Sequence, residues 1–302
     1  MKTNISVPAF RMFRFRDLNP VSKRVKVRVI GSPNEAMRVV HRHFIEHLRD
    51  LEIDMPSATA CREGSSAVKS VMRHLKRGRR SFNRYVVLLD ISSAYQSARI
   101  DRMLDALASV SPDIAASKDE TREFLLANFF DEGGGLVTGG PASPDLFNIY
   151  CEVHIDRTLR ALCAGHGIVY TRYLDDLMFS SRTPIGHRKR QSLRAVVESV
   201  GFRISDRKAE TIDLRKGAAV VNGVGLTLEG RLFLPGHMLR NIRGLLHVGL
   251  TKGTVKPSII HGKMGLLGGI IRFNAGKTES EKRVIQMYRE YQRLQRARRA
   301  GQ

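Results

Sequence analysis

Apolar residues recur along this chain at two periods. From Pro33-Asn34 onward, Met37, Val40, Phe44, Ile45, Leu48 and Leu51 share the spacing of one helical face. Tyr85-Val86-Val87-Leu88-Leu89-Asp90-Ile91 is instead a nearly continuous apolar run, the pattern of a strand buried on both faces, with one acid near its end. Ile100, Met103, Leu104 and Leu107 mark another helix, and a third ends across Phe124 to Phe130, ahead of a Gly133-Gly134-Gly135 loop. Pro144 stands near the start of a long amphipathic helix through Leu146, Ile149, Tyr150, Val153, Ile155 and Leu159. Two β-type runs, 167–172 and 177–180, flank Tyr173-Leu174-Asp175-Asp176, and a helix across Leu193, Val196, Val197 and Val200 follows. Strands are expected from Ala218 to Leu226 and from Arg231 to Leu234, meeting at Glu229-Gly230. This order predicts an α+β fold, a small antiparallel sheet packed on helices. Towards the C-terminus, apolar stripes at Met238 to Leu246, Ile259 to Ile270 and Val284 to Leu294 predict a compact helical part.

The pair Asp175-Asp176 singles out its hairpin. A tight turn favours Asp for its geometry alone, but adjacent buried carboxylates repel each other and persist where a strong cation is shared. Asp90, delivered at the end of a buried strand, adds a third acid in a setting of the same kind. Three such carboxylates are hard oxygen ligands suited to Mg2+.

Charge points to a polyanion. The 302 residues carry 51 Lys and Arg against 29 Asp and Glu, a formal charge of +22, so nucleic acid is the expected partner through counterion release. No apolar stretch reaches the length of a spanning helix, and the first residues lack the apolar region of a signal peptide, so no membrane role and a cytoplasmic location are expected. Cys61, Cys151 and Cys163 form no CxxC pair and read as packed thiols in a reducing compartment. Arg11, Arg14, Arg16, Lys23, Arg24, Lys26 and Arg28 crowd the N-terminal segment with Phe10, Phe13 and Phe15 between them. That mixture suits phosphates with bases or sugars on aromatic faces, or a core-facing Phe stripe with solvated arginines. Arg73, His74, Lys76, Arg77, Arg79 and Arg80 follow a helix-like stretch, and Arg293, Arg296, Arg298 and Arg299 line the last one; both groups suit phosphate contacts or complement a helix end.

Four motifs, in order and spacing, resemble the palm motifs of reverse transcriptases: Leu88-Leu89-Asp90-Ile91-Ser92-Ser93-Ala94-Tyr95, Thr138 to Asn148, Tyr170-Thr171-Arg172-Tyr173-Leu174-Asp175-Asp176 and Gly201 to Lys208. Val221-Asn222-Gly223 follows. The sequence is similar in particular to bacterial retron-type enzymes and their defence-associated relatives, from about Lys26 to about Tyr291. The resemblance implies a right-hand polymerase: N-terminal segment and fingers over 1–84, a palm with inserted fingers helices over 85–234, and a helical thumb over 235–302.

The resemblance further implies catalytic Asp90, Asp175 and Asp176, holding two Mg2+ ions (Mn2+ as the alternative) with the Ile91 carbonyl as a backbone ligand. Tyr95 would close against a sugar 2′-OH and favour dNTPs, Lys208 would stand near the triphosphate, and Lys26 and Arg28 would grip incoming phosphates, with Thr138 and Gly139 in the nucleotide site. Arg14, Arg16, Arg77, Arg79, Arg80, Arg293 and Arg296 would meet nucleic acid. The chain departs from the family pattern at Thr138, where most members have Gln, at Ser70 to His74, which keeps only the His of an Asn-Ala-x-x-His element, and at Asn222, where retron enzymes have Thr.

The expected function is RNA-directed DNA synthesis on a structured noncoding RNA, giving cDNA from dNTPs in antiphage defence. Two alternatives stand beside it: untemplated or repetitive DNA synthesis, for which Thr138 is the hint, and an RNA-binding scaffold that restrains a partner effector. An RNase H step would come from a partner, and no intron maturase role is expected.

Overall fold

The computed structural model of the chain describes residues 7–18, 25–75, 82–274 and 276–300, and leaves aside the side chains of residues 17, 18, 26, 299 and 300. The elements run β1 Phe10–Leu18, β2 Val25–Pro33, α1 Glu35–Asp50, α2 Ala67–Met72, β3 Tyr85–Ser92, α3 Ala94–Ser97, α4 Ile100–Ala108, α5 Pro112–Ala116 and α6 Lys118–Phe129. There follow α7 Ser143–Cys151, a π-helical turn Glu152–Asp156, α8 Arg157–Ala164, β4 Val169–Tyr173, β5 Asp176–Ser181, α9 His187–Glu198 and β6 Arg203–Ile204. The chain closes with β7 Glu210–Asp213, β8 Ala219–Val221, β9 Val224–Leu226, β10 Leu232–Phe233, α10 Gly236–Thr251, α11 Pro257–Phe273 and α12 Glu279–Ala300.

Two compact units emerge: Met1–Ser65 with Leu88–Phe179 and Ile185–Glu210, and Ser66–Val87 with Ser180–Pro184 and Thr211–Gln302. In the first, strands lie in the order β4-β5-β3-β6, and β3 pairs β6 antiparallel with Ile91 opposite Ile204. A parallel bridge from Ala58 to Arg172 extends the sheet past β4. The sheet is covered by the helix running from α7 through the π turn into α8, whose Leu146, Phe147, Ile149, Ile155 and Leu159 are buried. Asn34 opens α1 as the sequence suggests: its side chain accepts from the Met37 amide at 2.8 Å, satisfying a donor the helix cannot.

β1 and β2 form one long antiparallel hairpin, from Phe10 opposite Pro33 to Leu18 opposite Val25. Phe13 and Phe15 are exposed on it, which corrects the reading of a core-facing Phe stripe; only Phe10 turns inward, edge-on to His41 at 5.5 Å. Cys151 and Cys163 are buried as expected, but Cys61 is exposed, so only two of the three are packed thiols.

The second unit holds β7 to β10 and the three C-terminal helices. The strand expected from Ala218 to Leu226 is itself a hairpin: β8 turns into β9 at Asn222-Gly223, with φ of 51° and 76°. Asn-Gly is the pair that accepts two left-handed residues, and it is what the longer expected strand overlooked. α10 and α12 close on each other where Gly249 faces Tyr291; a Cβ there would come within 2.9 Å of the ring. His74 is a core residue, fully buried and bonded to Ser180 Oγ at 2.7 Å, with Asn83 on the same hydroxyl at 3.0 Å. Among the described residues no helix is long and apolar enough to cross a membrane.

Candidate active site

Asp90 is 6% exposed near the C-terminal end of β3. Its own carbonyl accepts from the Ser205 amide at 2.8 Å, and the next amide, that of Ile91, donates to the Asp175 carbonyl at 2.9 Å. The two acidic strands are therefore tied together by backbone at the very residues that carry the acids. The turn from β4 to β5 passes through Leu174 at φ 55°, a left-handed conformation unusual for a branched side chain. It leaves Asp175 half-buried and Asp176 exposed at the start of β5.

The acids feel one another. Burial raises the Asp175 carboxyl above its ordinary range and the charge of Asp90 adds to this, while Lys208 and Arg28 pull it down. Asp176 is pushed up to about 6, first by desolvation, then by the charges of Asp175 and Asp90 and by a hydrogen bond with Asp90; Lys208 again opposes the rise. The Lys208 ammonium lies in contact with Asp90 Oδ1. Asp175 and Asp176, each raised by burial and by a neighbouring acid, with a cation already drawn to Asp90, are a fitting donor set for a hard divalent ion. They are not a closed cage: among the described residues no three carboxylate, imidazole or thiolate side chains stand as a ready ligand set. Phosphate oxygens and water are the ligands that would complete such a site.

Above the acids opens a cavity of about 1190 Å³. Met12, Val27, Arg28 and Val29 of the hairpin line one side, Tyr95 and Gln96 another, and Arg207 and Lys208 a third. Tyr95 packs edge-on against Phe147 at 5.3 Å, and burial raises its hydroxyl well above the ordinary phenol value. Thr138 is clasped from both sides: its hydroxyl accepts from Gln96 Nε2 at 2.7 Å and its carbonyl from the Gly31 amide at 2.7 Å. Gly139, at φ 99°, allows this approach, since a Cβ would stand 2.5 Å from the Gly31 carbonyl oxygen.

The family model described as "Reverse transcriptase (RNA-dependent DNA polymerase)" matches residues 20–223. The chain belongs to the reverse transcriptase family. The Retron Ec83 reverse transcriptase of Escherichia coli is 26% identical over 253 residues, covering 82% of this chain and 78% of that enzyme. The Retron Mx65 reverse transcriptase of Myxococcus xanthus is 28% identical over 234 residues, 73% of this chain and 52% of the relative. The structure of apo telomerase from Candida tropicalis matches with a TM-score of 0.55 at 10% identity, over 93% of this chain and 61% of the other. That of Candida albicans telomerase, in complex with a fragment of telomeric RNA, matches at 0.53 and 11%, over 94% and 59%. These structural likenesses are of fold, and the fold is the α+β right-hand polymerase. Reverse transcriptases generally use divalent metal ions, in keeping with the carboxylates here.

In this reverse transcriptase Asp90, Ile91, Asp175, Arg28, Tyr95, Thr138 and Lys208 all line the same cavity, whereas Asp176, the next residue after Asp175, is not part of its lining, and Gly139 packs against the Gly31 carbonyl beside Thr138. Arg14 and Arg16 alternate on one face of β1 and are exposed. Arg293 and Arg296 are exposed on α12, in the second unit. Lys26 stands in β2 opposite Asp17, its side chain outside the described residues, as are Arg77, Arg79 and Arg80 entirely. Sequence reasoning missed Gln96 and Arg207, which carry no signal beyond their neighbours. It also missed Arg172, Asp156 and Asn148, which do carry one: each is a polar residue at an apolar position of its strand or helix.

Proposed function

We propose that this reverse transcriptase copies a structured noncoding RNA, which serves as template and supplies the primer, into cDNA. The observation that carries the reading is the convergence of Asp90 and Asp175, joined through the Ile91 amide, on a cavity that Arg28, Arg207 and Lys208 also line, alongside Asp131 and Glu132. The fingers are assigned to residues 1–84, the palm to 85–234 and the thumb to 235–302.

Asp90, Asp175 and Asp176 would hold two Mg2+ ions, with the Ile91 carbonyl assisting; when bound, these lower the pKa of the primer 3′-hydroxyl and neutralise charge on the triphosphate. The chain's own groups do the rest by position. Arg28 and Lys26 from the hairpin and Arg207 from beyond β6 hold the phosphates, and an arginine fork binds phosphate oxygens in pairs. Lys208, already beside Asp90, is placed to give a proton to departing pyrophosphate. The Tyr95 ring, braced by Phe147, takes the space a ribose 2′-hydroxyl would need. Gln96 and Thr138 together offer the polar edge that faces the incoming base or sugar.

The relatives carry retron names, and antiviral defence beside an effector protein is the setting proposed for this chain. The test is to purify the protein from its host and sequence the RNA and DNA that accompany it, with and without RNase and Mg2+. A discrete RNA joined to complementary DNA supports the reading. Homopolymeric or repetitive DNA would replace it with untemplated synthesis, and RNA without DNA would favour a scaffold.

A further inference from the structure

The largest fully buried side chain in the described protein is an arginine. Arg172 in β4 is 0% exposed and lies two residues before the left-handed Leu174, at the entrance to the turn that carries Asp175 and Asp176. Its charge does not reach the cavity, so it meets neither phosphate nor metal directly.

Its contacts run in two directions. Toward the helix, Nε donates to Asp156 Oδ1 at 3.0 Å and Nη2 to Asp156 Oδ2 at 2.8 Å, while Nη1 reaches Asn148 Oδ1 at 3.0 Å. Toward the turn, the same Nη1 donates to the Leu174 carbonyl at 3.1 Å. Asp156 is also 0% exposed and takes a further hydrogen bond from the Tyr170 hydroxyl at 2.7 Å. The main chain of Arg172 is fixed as well: its amide donates to Ser57 and its carbonyl accepts from the Thr59 amide, each at 2.8 Å. The guanidinium also lies 5.7 Å from the centre of the Phe147 ring, the ring that braces Tyr95. Asp156 reaches this position from the π-helical turn, whose wider coil interrupts an otherwise regular helix.

A buried ion pair is poor evidence for stability, since apolar residues of similar volume often replace one at no cost. A left-handed leucine, by contrast, is strained and persists only where its surroundings over-determine it. We propose that Arg172, held by Asp156, is a positioning residue: it clamps the Leu174 carbonyl and so sets where Asp175 and Asp176 present their carboxylates. The inference rests on the reading of those two acids as metal ligands.

The test compares wild type with an Arg172→Met/Asp156→Leu/Tyr170→Phe variant, which removes the charges and the hydroxyl together and leaves an apolar core. Mn2+ binding to the free enzyme is measured by titration calorimetry, and single-nucleotide extension gives kcat and KM. The expected result is a cooperative unfolding transition near that of wild type, Mn2+ affinity weaker by about 10-fold or more, kcat lower by about 100-fold, and KM for dNTP within a factor of about two. Wild-type Mn2+ affinity and kcat in that variant would overturn the proposal. Should the triple variant not fold, Arg172→Lys decides in its place. Lys keeps a charge for Asp156 but lacks the fork that reaches Leu174, so weakened Mn2+ binding and reduced kcat are expected, and unchanged values of both would overturn the proposal. If wild type binds Mn2+ yet makes no DNA, the polymerase reading fails while the binding comparison still decides the role of Arg172. Mn2+ binding that Asp175→Asn leaves unaltered would remove the metal reading and this inference with it.

Discussion

The Lys208 ammonium rests on the Asp90 carboxylate, so a side chain proposed to meet the nucleotide would also compete for one of the acids proposed to hold metal. Its removal should separate the two roles. Lys208→Met is expected to lower kcat by about 100-fold, the lower range for a lost general acid, while Mg2+ is bound as tightly as before or more so. The Mg2+ dependence of single-turnover extension checks this; a weaker requirement for Lys208 than for any surface lysine would count against its proposed place.

Tyr95 is wedged between the cavity and the Phe147 ring. Tyr95→Val opens that wall and should raise ribonucleotide incorporation relative to deoxynucleotide by about 10- to 100-fold, the range for a change of packing volume in a substrate pocket. Tyr95→Phe keeps the ring and should keep the discrimination. Competing NTP and dNTP on one template reads out both.

Gln96 donates to Thr138 across the cavity wall. Gln96→Ala leaves the Thr138 hydroxyl without that donor, and KM for dNTP is expected to rise about 3- to 10-fold with kcat nearly unchanged, the signature of lost binding common to ground and transition states. A fall in kcat at constant KM would place the pair at the reacting centre instead. Steady-state kinetics over a range of dNTP concentrations distinguishes the two.

Acid should unfold the protein in part through His74. Burial, assisted by Arg73, lowers its pKa from 6.5 to about 3. The unfolded chain therefore binds a proton below pH 6.5 that the folded chain does not, so this contribution to stability is complete above pH 6.5 and is lost as pH falls toward 3. His41 is shifted the same way by burial, with Nδ1 accepting from the Ala142 amide and Nε2 facing the Asn128 carbonyl. Urea unfolding at pH 7.5, 6 and 5 should show stability falling with pH, and His74→Gln should flatten the dependence. A midpoint independent of pH would contradict it.

What could be read from the sequence was whatever repeats with a period or sits at a chemically costly place. The α1 face from Met37 to Leu48, the buried β3 run and the Asp175-Asp176 turn each announce themselves, because burial and like-charge repulsion leave few alternatives. The β1/β2 hairpin was less legible: Val25, Val27 and Val29 alternate with Lys26 and Arg28 yet are exposed, and Phe13 and Phe15 beside Arg14 and Arg16 are exposed too, so the pattern marks no inside. The π turn left no trace in the pattern, since Ile155 and Leu159 still fit a regular helix, and only the acid at Asp156 in an apolar face hinted that something buried must answer it. The Gln96 contact depends on α3 meeting the Thr138 loop, which no local pattern encodes.

Primer extension shows whether Asp90, Asp175 and Asp176 perform RNA-directed DNA synthesis, as proposed. Purified wild type and Asp175→Asn/Asp176→Asn protein are given an RNA template with an annealed primer, dNTPs and Mg2+, with RNA binding measured in parallel. The account predicts full-length DNA from wild type, none from the variant, and equal RNA binding by both. DNA synthesis that survives the double substitution, or wild type that binds the RNA and extends nothing, would contradict it.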